Sequence, residues 1–412
     1  METYGCAANQ GDSSIMKGIL WERGHKICRD MKDADCILIN TCIVINTTEQ
    51  RMLHRLNTFK KEEKPVIVAG CMASVLPYIV KKILPNAKLL PPHHVHHVAD
   101  IVEGKNDGFY LKEKVSLPRE IEIKVNFPIS DGCLFNCSYC ITKKARGNLI
   151  SYSPKGIVED IGFAVQHGCK EVRLTSQDTA SYGKDNNTSL PSLISRVCSI
   201  KGKFRIRVGM MHPLSALPIF NELMDSYAHE KVYKFLHLPL QSGSNDILKK
   251  MRRGYSVEDF LELVKKFRER YPDGTLATDV IVAFPSETEE DFQKTYDIIK
   301  KIQPDIVNVT RFSPRPYTDA KKMKERVNTF TAKERSRKMT ELAKKISLQK
   351  NRACIGKNYV ALILEKQGEW MIGKTENYKS IFLKEGKIGE FVEVEINDAT
   401  ATHLFGNRKH HI

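Results

Sequence analysis

The stretch "GCLFNCSYC" (Gly132–Cys140) gathers three cysteines at a C-x3-C-x2-C spacing, directly after the apolar, β-prone run "IEIKVNFPIS" (121–130). No fourth cysteine follows. A structural zinc site closes four ligands around the ion, so a zinc reading here needs a distant fourth ligand. A disulfide needs pairs. Three thiolates on one short loop suit three irons of a 4Fe-4S cluster and leave the fourth iron open to a small molecule. A loop of this kind just after a strand also fits a parallel α/β fold, whose chemistry gathers where the strands end.

Working outward, strand-like and helix-like stretches alternate regularly over residues 118–312. After 121–130 come "EVRLTS" (171–176), "FRIRVGM" (204–210), "KFLHLPL" (234–240), "LATDVIVAF" (276–284) and "DIVNVTRF" (305–312). Amphipathic stretches separate most of them, with "VEDFLELVKKFRER" (257–270) the clearest helix. Six strands in βα alternation predict a partial or complete α/β barrel.

Upstream, "DCILINT" (35–41) and "PVIVAGC" (65–71) are β-prone runs next to helical stretches such as "SSIMKGILWERG", for which Asp12 or Ser13 is the expected N-cap and Gly24 the stop. This predicts a small α/β domain with a parallel sheet over 1–113, joined by a polar linker at 104–120. Its cysteines repeat the arithmetic of the loop. Cys6 follows a short first strand, Cys42 follows "CILINT" and Cys71 follows "PVIVAG". Carboxyl ends of parallel strands converge on one sheet edge. Three cysteines meeting there can hold a second cluster; three unrelated buried thiols are the plain alternative. Cys28, Cys36, Cys169, Cys198 and Cys354 show no such placement and read as spectator thiols.

Downstream, "NYVALILEKQ" (358–367), "WMIGKTENY" (370–378), "SIFLKEG" (380–386) and "GEFVEVEIND" (389–398) are short strands between polar turns, the pattern of a small antiparallel barrel over 351–412. Residues 311–352 hold 14 Lys and Arg against 4 Asp and Glu, a local net of +10. The whole chain carries +16, which favours a polyanionic partner. The N-terminus has no apolar signal segment and no run reaches a membrane span, so a soluble cytoplasmic protein is expected. Eleven cysteines in such a chain point to metal or redox chemistry rather than to a disulfide framework.

With these pieces in place, the loop "GCLFNCSYCITKKARG" resembles that of radical S-adenosylmethionine enzymes, and specifically of the methylthiotransferases. "CSYCITKKARG", "LTSQDTASYG", "NLISYSP", "FLHLPLQSGS", "ATDVIVAFPSETEEDF" and "RFSPRPYTDAKKM" are most similar to the archaeal and eukaryotic branch, which acts on threonylcarbamoyladenosine beside the tRNA anticodon. The resemblance implies three domains in order: an N-terminal domain with an auxiliary 4Fe-4S cluster (1–113), a radical SAM partial (β/α)6 barrel with a basic helical connector (118–350), and a TRAM RNA-binding domain (351–412). It implies Cys133, Cys137 and Cys140 as ligands of the cluster that chelates S-adenosylmethionine and, on reduction, cleaves it to a 5′-deoxyadenosyl radical. That radical takes the hydrogen from C2 of the adenine, and a sulfur species at Cys6, Cys42 and Cys71 supplies the methylthio group.

Expected cofactor contacts are Ser176, Gln177 and Asp178 after the second strand, Arg207, Met211 and His212 at the third, His237 and Gln241 at the fourth, and Asp279 in the fifth. Expected partners are the anticodon stem-loop, an electron donor and a sulfur source, with the protein a monomer. Prenylated adenosine and a ribosomal-protein aspartate stay open as substrates, and from another class so does a non-catalytic iron–sulfur RNA-binding redox sensor. Ala283 and Ser286 depart from the family, which has glycines there; both would restrict a turn that needs positive φ. Four residues before Gly5 leave either a short first strand or a start upstream. For RNA contact, Lys374, Lys379, Lys384, Lys387, Arg408 and Lys409 extend the basic patch, and Tyr359, Trp370, Tyr378 and Phe382 are core or stacking surfaces. The histidines of "PPHHVHHVAD" and the terminal "KHHI" are read as surface features without a metal.

Overall fold

β-prone runs build three parallel sheets in the computed structural model, one in the first unit and two in the second; it describes residues 1–28, 30–105 and 108–409, and the terminal "KHHI" beyond Lys409 lies outside them. In the first sheet, β1 (Glu2–Thr3), β2 (Ile37–Thr41), β3 (Val66–Gly70) and β4 (Lys88–Leu90) run parallel in that order. β2 and β3 are buried along their whole length, as strands covered on both faces must be. The first helix spans Ala7–Glu22 with Cys6 at its N-cap, so it begins before the expected Asp12 or Ser13. Those two residues are buried within it. Gly24, at φ +82°, ends it as expected.

That helix docks on the second unit through its glycines. Gly11 and Gly18 are seven apart and share a face. A Cβ on Gly18 would lie 2.2 Å from the Arg119 nitrogen, and one on Gly11 3.0 Å from Pro128 Cγ. Only glycine lets the helix approach the 118–119 backbone this closely.

The second unit is the expected partial barrel. β5 (Lys124–Pro128), β8 (Glu171–Thr175) and β9 (Arg205–Val208) form one parallel sheet, and β10 (Phe235–His237), β11 (Thr275–Val282) and β12 (Ile306–Arg311) another. Tyr233 N to Ile206 O (3.0 Å) and Met211 N to His237 O (3.1 Å) join the two sheets. Among the described residues β12 and β5 do not pair, so the barrel stays open. A ribbon of β6 (Ser130–Asp131) and β7 (Ile150–Ser151) clamps the two ends of the cysteine loop. Gly132 starts that loop at φ +75°, where a Cβ would lie 1.8 Å from Asn148 O.

The third unit is a closed barrel in the order β13 (Asn358–Gln367), β14 (Trp370–Thr375), β15 (Ser380–Leu383), β17 (Leu404–Arg408), β16 (Phe391–Ala399). It is not wholly antiparallel, because β15 and β17 pair in parallel. The turn after β14 plugs the barrel's N-terminal mouth, where Tyr378 packs on Tyr233, Phe235 and Ala277. Lys379 is buried on Asp305 (2.8 Å), and burial pulls the Lys374 ammonium down to about 8, so neither belongs to an exposed basic patch. The histidine run is only partly at the surface. It forms a short helix, Pro92–His97, in which His97 is buried and the other three are half-buried, with the rings of His94, His96 and His97 packing against Phe109 and Tyr110; among the described residues both His96 nitrogens are buried without a partner.

Four buried charges lock the first unit to the second. Arg146 forks to Asp12 and Asp131 at 2.6 Å each, and Lys114 bridges the same two carboxylates at 2.5 and 2.6 Å. Asn9 and Tyr152 complete the shell at 3.0 and 2.8 Å. Burial would raise the Asp131 carboxyl, but Lys114 and Arg146 outweigh it and hold the group well below its ordinary 3.8.

The two departures noted above both take left-handed backbone, Ala283 at φ +60° and Ser286 at φ +64°. The turn is held from outside: Ala283 N donates to Glu287 Oε2 and Ser286 N to Glu325 O, each at 2.6 Å. Relieving one strained residue is worth about 1 kcal/mol, so Ala283→Gly should raise the thermal midpoint, and a lower midpoint would contradict this reading. Asp131→Asn strips a buried cation pair of one partner and should cost about 3–5 kcal/mol at pH 7 in a urea titration. A carboxyl depressed by folding contributes stability above its unfolded value and loses it as pH falls. The gap between wild type and Asp131→Asn should therefore narrow below pH 3.8. An equal gap at pH 3 would show that the carboxylate is not the source.

Candidate active site

The two cysteine sets open onto a single cavity of about 390 Å³ at the carboxyl ends of the strands. Cys133, Cys137 and Cys140 reach it from the loop after β6, and Cys6 and Cys71 from the edge of the first sheet. Cys42 lies just behind: a Cβ on Gly5 would meet Cys42 Sγ at 3.1 Å, and Gly5, at φ +112°, leaves that space clear. Gly70, at φ +85°, turns the chain so that Cys71 opens the helix Cys71–Val75. Two cations stand among the thiols. Arg146 is buried near Cys71 and Cys6, and Arg253 Nη1 lies 3.3 Å from Cys137 Sγ.

Burial pushes the Cys71 and Cys133 thiols up to about 12 and also raises Cys42 and Cys137, so loading a metal must displace protons. Among the described residues no three Cys, His, Asp or Glu side chains converge on a single ion. A cluster whose separate irons each take one thiolate fits such a spread set. Of the spectators, Cys169, Cys198 and Cys354 are buried as expected, while Cys28 and Cys36 are partly exposed.

The barrel side of the cavity is polar and incompletely satisfied. Thr175 Oγ1, Gln177 Oε1, Arg207 Nε, His212 Nε2 and Gln241 Oε1 are all buried without a partner, and all five residues line this cavity. Each such atom costs about 1–3 kcal/mol unless something binds it. Their convergence marks a site for a polar ligand. Gln241 also holds left-handed backbone, φ +67°, a strain of the kind that clusters at functional sites. Burial drives His212 down to about 2, and its Nδ1 accepts from Leu214 N, so the neutral ring carries its proton on Nε2.

The expected cofactor contacts divide. Ser176, Gln177, Arg207, His237 and Gln241 line the cavity. Asp178 also borders it, but its carboxylate is consumed by His212 N, Ala180 N and Ser215 Oγ, so it builds the turn. Met211 is packed in the hydrophobic core, and Met210 takes the position on the cavity. Asp279 stands outside the lining and holds His237 Nε2 at 3.1 Å. Sequence reasoning missed Arg253, Lys143 and Arg146, which lie in ordinary-looking basic stretches; "MRRGY" and "TKKARG" carry no spacing that marks a cavity cation.

Fold and site together define the class, a radical S-adenosylmethionine enzyme. The family model described as Radical SAM superfamily matches residues 127–299, the uncharacterized protein family UPF0004 matches 1–90, and the TRAM domain matches 352–407. Among solved structures, the radical S-adenosylmethionine methyltransferase TsrM from Kitasatospora setae shares the fold, with a TM-score of 0.58 at 12% identity over 88% of this chain and 77% of that one. A Pyrococcus horikoshii protein named "Probable threonylcarbamoyladenosine tRNA methylthiotransferase" is 42% identical over 98% of both chains. The threonylcarbamoyladenosine tRNA methylthiotransferases of Drosophila melanogaster and Homo sapiens are 32% and 31% identical, over 98% and 97% of this chain and 76% and 72% of theirs. The chain belongs to the threonylcarbamoyladenosine tRNA methylthiotransferase family, and the reading as a non-catalytic redox sensor gives way to that of an enzyme. Among the described residues no helix is long and apolar enough to cross a membrane.

Proposed function

We propose that the protein replaces the C2 hydrogen of N6-threonylcarbamoyladenosine, next to the tRNA anticodon, by a methylthio group. The observation that carries this reading is the single cavity lined by five cysteines of the two sets, with Cys42 just behind, in a chain of this family. Cys133, Cys137 and Cys140 hold one 4Fe-4S cluster, and Cys6, Cys42 and Cys71 the other. When bound, the clusters and S-adenosylmethionine supply a 5′-deoxyadenosyl radical and an activated sulfur. The chain's own part is placement and exclusion of water. Ser176, Gln177, Arg207, His212, His237 and Gln241 receive the polar atoms of the cofactor, with Asp279 orienting His237. Arg146 and Arg253 offset the negative charge of the thiolates.

Residues 1–113 act as the auxiliary-cluster domain, 118–350 as the radical barrel and 351–412 as the RNA-binding domain. A groove of about 640 Å³ runs past Asn46, Ala283, Arg311 and Arg326, and among the described residues no carboxylate lines it. On the helix Thr329–Arg352, Lys333, Arg337, Lys338, Lys344 and Lys345 are exposed, whereas Arg335 is spent on Glu287 and Glu289. Trp370, Phe382, His403 and Phe405 cluster on the outside of the last barrel, with Lys384 4.0 Å from the Trp370 ring. Such a surface suits base stacking and phosphate contact. The protein works in the cytoplasm as a monomer, with an electron donor and a sulfur source as further partners.

Nucleoside mass spectrometry of tRNA from cells with and without the gene tests the substrate. The methylthio mass should vanish from threonylcarbamoyladenosine alone, and a loss confined to prenylated adenosine would overturn the assignment. Cys133→Ala and Cys71→Ala should each remove about half of the bound iron, since two equal clusters share it. Unchanged iron in either variant would strike that cysteine from the ligands.

A further inference from the structure

The proposed substrate differs from a prenylated adenosine in one decisive respect: its threonyl group ends in a free carboxylate. A carboxylate entering a partly dry cavity needs a cation and hydrogen-bond donors. Four cations line this one: Lys143, Arg146, Arg207 and Arg253. Arg146 is already saturated by Asp12 and Asp131. Arg253 is committed to Cys137 and the Tyr255 hydroxyl. Arg207 sits within β9 with its guanidinium 5.1 Å from the Phe235 ring, and its unpartnered Nε is already given to the cofactor in the reading above.

Lys143 is different. It belongs to the helix Thr142–Arg146, which starts two residues after Cys140 and rests on the helix that begins at Cys71, with Ser74 Oγ donating to Ala145 O at 3.2 Å. Lys143 lines the same cavity as cysteines of both sets. It donates to the Cys133 carbonyl, and among the described residues it meets no carboxylate. An ammonium has three donors, so two remain for a ligand. The residue is half-buried, so a negative charge arriving there is only partly screened by water.

Resting on the substrate reading above, we propose that Lys143 is a specificity-determining residue that pairs with the threonyl carboxylate of the substrate. S-adenosylmethionine also carries a carboxylate, but beside its own ammonium. The threonyl nitrogen is carbamoylated and neutral, so its carboxylate is the one that needs a cation from the protein. Lys143 then selects an acidic N6 substituent over an apolar one, and does so apart from the radical chemistry.

The test uses full-length reconstituted enzyme and synthetic anticodon stem-loop hairpins carrying either N6-threonylcarbamoyladenosine or plain adenosine at the same position. Wild type should prefer the modified hairpin. Lys143→Gln should reduce that preference by about 10- to 100-fold, the range of a lost charge-assisted hydrogen bond, and Lys143→Arg should keep most of it. Iron content, S-adenosylmethionine affinity and affinity for the plain hairpin should be unchanged in both variants. Equal weakening for both hairpins would assign Lys143 to a phosphate and overturn the proposal. So would weaker S-adenosylmethionine binding with the hairpin preference intact, or a preference that survives Lys143→Gln. If wild type itself showed no preference, the substrate reading would fail together with this one.

Discussion

Arg146 is one side chain on which the geometry of two domains depends. Its guanidinium is fully buried and forks to Asp12, from the first helix, and to Asp131, from the ribbon that starts the cysteine loop. Lys114, from the intervening linker, closes the square. Two carboxylates and two cations leave no net charge, which is what makes their burial tolerable. Replacing the four by apolar groups could match their stability but not their directionality. Each bond fixes where the first sheet's edge stands relative to the loop, and so where Cys6 and Cys71 stand relative to Cys133, Cys137 and Cys140. The glycine face of the first helix serves the same end, since Gly11 and Gly18 bring it against β5 and the linker.

From that fixed arrangement the character of the cavity follows. One wall presents thiols, with Arg146 and Arg253 set close by; the other presents polar atoms that have no partner among the described residues. Opposite the cavity, the tip carrying Tyr378 stoppers the N-terminal mouth of the barrel, so access is from the strand-end side. The groove past Arg311 and Arg326 adds positive charge, and Lys333, Arg337, Lys338, Lys344 and Lys345 of the long helix face solvent. The chain thus separates two tasks. Buried charges set the relative position of the domains, and exposed charges are left at the surface.

Much of this was legible in the sequence, because periodicity and cysteine placement are local signals. Every strand of the open barrel was readable, since each lies in a β-prone stretch bounded by turns or helical stretches. The convergence of Cys6, Cys42 and Cys71 followed from a rule about where parallel strands end. What could not be read is set by long-range partners. Lys114 sits in a stretch that looks like a solvated linker, and only Asp12 and Asp131 together explain its burial. Asp12 passed for a helix cap because its true partners are over a hundred residues away. Met211 and Met210 differ by one step along the chain, which decides core against cavity and leaves no trace in composition. Lys374 and Lys379 counted as surface charge until Tyr378 and Asp305 covered them. β17, short and interrupted by Gly406, gave no strand pattern at all.

The two cysteine sets face each other across one cavity because Arg146 holds them there. Electron paramagnetic resonance of the reconstituted, reduced enzyme tests it most directly. Two clusters across a cavity of this size should interact magnetically, giving a spectrum broader than the sum of those from the Cys71→Ala and Cys133→Ala variants. Arg146→Gln should lose that broadening while keeping its iron. A wild-type spectrum equal to the simple sum would contradict the account.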